Sequence, residues 1–296
     1  MKELFDESKP HLAVWLWIYD PTAYPWKRDE LANVRLPVTP RGSPIHYAAF
    51  YGLRNIVEVL VTEQLQDINS RRFDGGLIPL HLVSRQGHVE VAQYLVEHGG
   101  DLTARNDCGQ TPLHGASSGG HLKLAQFLVQ HGADATAQDE GGWTPLHSAS
   151  SRGYFELAQC LVQEGAADAT ARDEYGSTPL HGASEGGHIE LAQFLVELGA
   201  DATAQNKHGW IPLHRVCEGG HIELAQFLVN HGADPTVQDN DGWAPLHGAS
   251  LGGHVEVAQL LVQHGAKATA RDEDGWTPLH RASSGGHTKL AQFLVE

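Results

Sequence analysis

From about residue 42 onward the same order of apolar and polar positions returns every 33 to 35 residues. The third of these units shows the order most plainly. Thr111 precedes Pro112 and Leu113. That suits a helix start, because a threonine hydroxyl caps free backbone amides and proline has no amide to lose at the first helical position. Gly119 and Gly120 end this helix. Between His121 and Gln130, Leu124, Phe127 and Leu128 fall at the i, i+3, i+4 spacing of one apolar helix face. Gly132 is placed to cap the second helix, and Ala133 to Gly142 is short, polar and glycine-bearing, as a projecting hairpin requires. Each unit therefore reads as two short helices and a turn.

The register is fixed by a tetrapeptide. Thr111-Pro112-Leu113-His114 recurs at Thr144, Thr178 and Thr277, and degenerate copies begin at Ser43, Ile78, Ile211 and Ala244. Its prolines stand at 44, 79, 112, 145, 179, 212, 245 and 278, so the spacings are 35, 33, 33, 34, 33, 33 and 33. The extra residue of the fourth unit lies near Ala166 and Ala167, where a hairpin loop can absorb it. Eight units in one register predict an all-α solenoid of stacked helix-turn-helix units with projecting β-hairpin loops over residues 42–296.

The period, the Asp-x-x-Gly-x-Thr-Pro-Leu-His run and the following Gly-His-x-Glu-Leu-Ala-Gln-Phe-Leu-Val and Gly-Ala-Asp together resemble the ankyrin repeat. The resemblance implies a protein-recognition array whose hairpin tips and first-helix ends line a concave groove. One departure is regular. Thr136, Thr170, Thr203, Thr236 and Thr269 stand where the family often has asparagine, so the asparagine hydroxylation known at that position is left with Asn69.

Residues 1–41 do not fit the repeat. Trp15, Trp17, Ile18, Tyr19 and Trp26 cluster there with Pro21 and Pro25. They read either as a cap over the apolar face of the first unit or as a docking face toward an upstream domain. His11 to Asp20, Trp26 and the Tyr-Ala-Ala-Phe-Tyr-Gly of the first unit resemble the region preceding the repeats in fungal NACHT-ankyrin proteins. That resemblance implies the sensing region of a larger intracellular signalling protein. A structural adaptor without a switching role is the alternative. The last unit is expected to be incomplete, since the chain stops at Glu296 within its second helix.

Charge narrows the partners. The formal net charge is −16, and residues 1–41 are neutral with six basic and six acidic side chains. The excess belongs to residues 42–296, where 20 − 6 = 14 basic residues face 36 − 6 = 30 acidic ones. Such a surface repels phosphate backbones and anionic membranes and suits a basic protein partner. Cys108, Cys160 and Cys217 make no disulfide or zinc pattern. The N-terminus lacks the shape of a signal peptide, and His11 to Tyr19 is too short to span a bilayer. A cytoplasmic, monomeric array, or part of a larger chain, is expected.

Two kinds of candidate chemistry dissolve into the register. Of twenty histidines, eight occupy the Pro-Leu-His position, six follow the glycine that ends the first helix and four precede the second helix's capping glycine, all expected to bond turns between neighbouring units. Only His11 and His208 fall outside it. G-x-S-x-G occurs around Ser117, Ser184 and Ser250, but a nucleophile elbow needs a strand before its serine, and here the serine ends a helix. Phosphate-loop, H-E-x-x-H and dinucleotide patterns are missing, so no catalytic residue, cofactor or metal site is expected.

Comparison between units separates scaffold from surface. The hairpin tips vary and supply Glu140, Glu174, Tyr175, Lys207, His208, Asp241 and Glu273 as candidate partner contacts. The end of the first helix also varies and adds Arg152, Glu185, Glu218 and Leu251. Before the Pro-Leu-His motif stand Trp143, Trp210, Trp243 and Trp276, and indoles beside carboxylates suit an interface in which aromatics anchor and charge steers.

Overall fold

The computed structural model describes residues 43–63, 65–72 and 74–296; the expected cap at 1–41 lies outside them. Among the described residues there are sixteen helices and no strand. The chain divides into two compact units between Asp134 and Ala135. The first holds α1 (Pro44–Phe50), α2 (Arg54–Thr62), α3 (Pro79–Gln86), α4 (Val89–Glu97), α5 (Pro112–Gly119) and α6 (Leu122–Gln130). The second holds α7 (Pro145–Ser151), α8 (Phe155–Gln163), α9 (Pro179–Glu185), α10 (Ile189–Glu197), α11 (Pro212–Gly219), α12 (Ile222–Asn230), α13 (Pro245–Gly252), α14 (Val255–Gln263), α15 (Pro278–Ser284) and α16 (Thr288–Val295).

Every first helix opens with proline at its first position and carries histidine two residues on, and the ring closes the helix end. The Thr144 amide donates to His147 Nδ1 at 3.2 Å and the Thr178 amide to His181 Nδ1 at 3.1 Å. The threonine hydroxyls meet the same nitrogen at 2.9 Å and 3.0 Å. Ile78, Ile211 and Ala244 have no hydroxyl to offer, and there the ring caps alone. The opposite nitrogen, Nε2, reaches a carbonyl of the next repeat: Ser70 for His46 at 2.8 Å, Gln110 for His81 at 2.8 Å, Trp210 for His181 at 3.1 Å and Trp243 for His214 at 3.1 Å. A ring facing a donor at Nδ1 and an acceptor at Nε2 is the neutral Nε2–H tautomer. Burial reinforces that state and lowers the pKa of His46, His81, His147, His214 and His247, and that of His181 to about 4.

The core runs along the stack. Within each compact unit first helices pack on first helices and second helices on second helices. Leu113, Leu146, Leu180, Leu213 and Leu246 have no accessible surface, and neither have Leu128, Leu195 and Leu228 of the second helices. A further histidine row ties repeats together. His254 Nε2 bonds the Glu218 carbonyl at 3.1 Å and His287 Nε2 the Leu251 carbonyl at 2.9 Å. Each ring lies where a Cβ of the preceding repeat would stand, at Gly220 (φ +77°) and Gly253 (φ +75°). Both the left-handed backbone and the close ring demand glycine there.

Three expectations need adjustment. His98, His131, His231 and His264 do not bridge repeats. Each Nδ1 bonds the carbonyl four residues back in its own helix at 2.8–2.9 Å, because the ring stands at the helix end with free carbonyls beside it. The projecting loops are tight hairpins, each closed between the same pair of short arms, as by Asp139 N to Trp143 O and Gly142 N to Asp139 O, both at 2.9 Å, too short to count as strands. Finally, the extra residue of the fourth unit enters at the end of α8, before the hairpin, where Ala166 takes φ +55°.

Candidate functional site

The loops are organised by the side chain that opens the Asp-x-x-Gly-x-Thr-Pro-Leu-His run, an aspartate or, as at Asn206, an asparagine. Asp173 Oδ1 accepts the backbone amides of Tyr175 at 2.9 Å and Ser177 at 2.7 Å. Asp239 does the same for Asp241 and Trp243, and Asn206 for His208 and Trp210. These turns hold each tip and the residue before Pro-Leu-His at a set distance. Successive tips are joined by backbone bonds: Glu174 N to Gly141 O, Lys207 N to Tyr175 O, Asn240 N to His208 O and Glu273 N to Asp241 O, at 2.8–2.9 Å.

The four indoles stand in different surroundings. Trp143 is 38% exposed, and its Nε1 donates to Asp173 Oδ2 of the next repeat at 3.1 Å. Trp210 is half-buried, stacked on His214 with centroids 5.6 Å apart and covered by the Arg215 guanidinium at 4.3 Å. Arg281 lies over both Trp243 and Trp276, 4.6 Å and 4.7 Å from their centroids, and bonds Asp272 Oδ2 at 2.6 Å. Arg215 is also ion-paired, to Glu218 at 3.7 Å and Glu185 at 4.0 Å.

Between the loop tips and the first helices of the second unit lies a cavity of about 320 Å³. Its wall includes Trp143, Asp173, Tyr175, Glu185, His208 and Arg215, with His147, His181 and Gly182. Tyr175 and His208 stack along it with centroids 6.0 Å apart. The structure thus gathers Trp143, Tyr175, Glu185 and His208 from the candidate contacts. Trp210 and Glu218 join them through Arg215. Glu140, Glu174, Lys207, Asp241 and Glu273 are exposed on the tips, and Arg152 and Leu251 are exposed where α7 and α13 end. Trp243 and Trp276 belong to the separate Arg281 cluster. The residues that comparison between units missed are Asp173, Arg215 and Arg281. A signal for the arginines existed: the position after Pro-Leu-His reads Ser148, Gly182, Arg215, Gly248 and Arg281.

The residues with apparent chemistry are packing residues. Ser117, Ser184 and Ser250 of the G-x-S-x-G motifs have no accessible surface, so no ester can reach them. Burial raises the Cys160 thiol to about 11 and pushes Cys217 further up, which keeps both protonated. Asn69 spans two repeats, donating to the Gly99 carbonyl at 2.9 Å and accepting the Asp101 amide at 2.8 Å. At Thr170, Thr203 and Thr236 the loop closes on itself instead, each threonine bonding the aspartate two residues before it. Among the described residues no group of three or more His, Cys, Asp or Glu side chains could hold a metal ion. Among them, too, no helix is long and apolar enough to cross a membrane.

A family model for ankyrin repeats matches residues 45–139, 134–206 and 213–296. The chain belongs to the ankyrin-repeat family. The array is also similar to alpha-latrocrustotoxin-Lt1a of Latrodectus tredecimguttatus, with 34% identity over 64 residues. That match covers 22% of this chain and 4% of the toxin, so the chain spans only a small part of that relative's length. Ankyrin arrays are protein–protein interaction modules, a fold that binds without catalysing.

Proposed function

We propose that the ankyrin array recognises a basic protein partner in the groove between the loop tips and the first helices of residues 135–296. The observation that carries this reading is the cavity walled by Trp143, Tyr175, Asp173 and Glu185. It pairs aromatic surface with carboxylates, the combination that anchors and orients a partner. The acidic excess of residues 42–296 supports the sign of the partner's charge, because complementary fields raise association rates. The resemblance of residues 11–20 and Trp26 to the segment before the repeats of fungal NACHT-ankyrin proteins supports a place in the sensing region of a larger cytoplasmic switch.

The test is a photo-crosslinking residue at Tyr175 in the groove and, separately, at Glu190 on the second-helix side. In a cell extract the Tyr175 probe should capture a specific basic protein that the Glu190 probe does not. Capture of the same proteins at both places, or at Glu190 alone, would remove the groove from the account.

A further inference from the structure

The array contains its own picture of what fills such a groove. In the last two repeats Arg281 occupies the interval between the indoles of Trp243 and Trp276, with its guanidinium on the carboxylate of Asp272. Asp272 stands nine residues before Arg281, and its Oδ1 is held by the Trp276 amide at 2.8 Å, so Oδ2 is the oxygen turned to the arginine. The register carries this arrangement back to the cavity. Asp173 stands nine residues before Gly182, its Oδ1 is likewise held by loop amides, and Trp143 takes the place of Trp243. Two positions are changed: Ser177 stands where Trp276 does and Gly182 replaces the arginine, so the space is open with one indole, Trp143, on its wall.

We propose that the cavity beside Trp143 is a subsite for an arginine side chain of the partner protein, laid on the indole with its guanidinium on Asp173 and Glu185. This rests on the recognition reading above and names what the groove takes. Flat guanidinium groups stack on indoles and bond carboxylates at the same time, which an ammonium group does less well. Asp173 Oδ2 already accepts the Trp143 Nε1–H, and a carboxylate oxygen has room for a second donor. The opposing group on the wall is Arg215, which is ion-paired to Glu185 and Glu218 and lies against Trp210. The remaining lining titratable groups are His147, His181, Tyr175 and His208, of which the first two are held neutral by burial.

The probe is a blocked Gly-Arg-Gly peptide titrated against the full chain, with the indole Nε1–H resonance of Trp143 as readout. A saturable shift is expected. The citrulline peptide, which has the shape without the charge, should bind at least about tenfold more weakly, since charged hydrogen bonds are roughly twice as strong as neutral ones. Gly182→Arg should abolish the shift by supplying the side chain in cis. A Cβ there comes within 3.3 Å of Ser151, a tight contact, so a second variant guards against misfolding. Arg281→Gly should open the equivalent interval and make Trp243 or Trp276 respond to the arginine peptide. Equal binding of the citrulline peptide, an undiminished shift in folded Gly182→Arg, or no saturable shift at all would overturn the subsite. If the peptide leaves Trp143 unmoved while the Tyr175 probe still captures its protein, the recognition reading stands and the arginine subsite alone falls.

Discussion

Ser184 has no accessible surface and no partner for its hydroxyl, and Ser117, Ser150 and Ser250 repeat the arrangement at the same register position of other units. A buried hydroxyl that has given up water without gaining a bond is a standing cost of about 1–3 kcal/mol. Ser184→Ala should therefore raise stability, by about 1 kcal/mol, read as a higher urea midpoint with unchanged slope. A lower midpoint would show that the hydroxyl is bonded after all. These serines also mark where single residues were legible. The period placed them at the end of a helix and so discarded a nucleophile reading. It could not show that Arg215 and Arg281 lie over tryptophans five residues earlier, because that contact depends on how the loop meets the helix. The same holds for Asp173, whose part is set by the backbone amides it gathers.

The elements were the most legible scale. Proline marks the first residue of every first helix, and the apolar spacing of the second helices matches the buried Leu and Ala rows. The projecting β-hairpin loops carry no strand among the described residues, because a loop closed as tightly as Asp139 to Trp143 leaves too few residues to form a ladder. The histidine links between these elements make the fold sensitive to acid. Burial depresses the pKa of six Pro-Leu-His rings below the ordinary 6.5, so the unfolded chain takes up protons that the folded one refuses. Their contribution is fully present above about pH 6.5 and is lost as pH falls toward about 4, the folded value of His181. Each ring can add up to about 1.4 kcal/mol per pH unit within that window. Urea midpoints should fall steeply from pH 7 to pH 4.5. Asp201 and Asp272, held below the usual carboxylate value, lose their contribution only at lower pH, so a flat profile down to pH 4.5 would contradict the neutral-ring account.

At the scale of the whole molecule, stability is a sum over repeats and the interfaces between neighbours. Leu195 of α10 is fully buried, and α10 packs on α8 and α12. Leu195→Ala should cost about 2–5 kcal/mol, as large-to-small core changes do. In an array damage of that size can separate the unfolding of the two sides into distinct transitions in calorimetry. A loss below about 1 kcal/mol with one sharp transition would mean that this leucine carries little of the stacking. The groove is where whole-molecule function was only half legible. Variation between units pointed to Trp143, Tyr175, Glu185 and His208, but not to the open interval that Gly182 leaves among them. The most direct measurement is hydrogen exchange of the array with and without the protein captured at Tyr175. Added protection should concentrate in the loop tips and first-helix ends between Trp143 and Glu218. Protection confined to the second helices α8, α10 and α12, with the groove exchanging as before, would contradict recognition through this face.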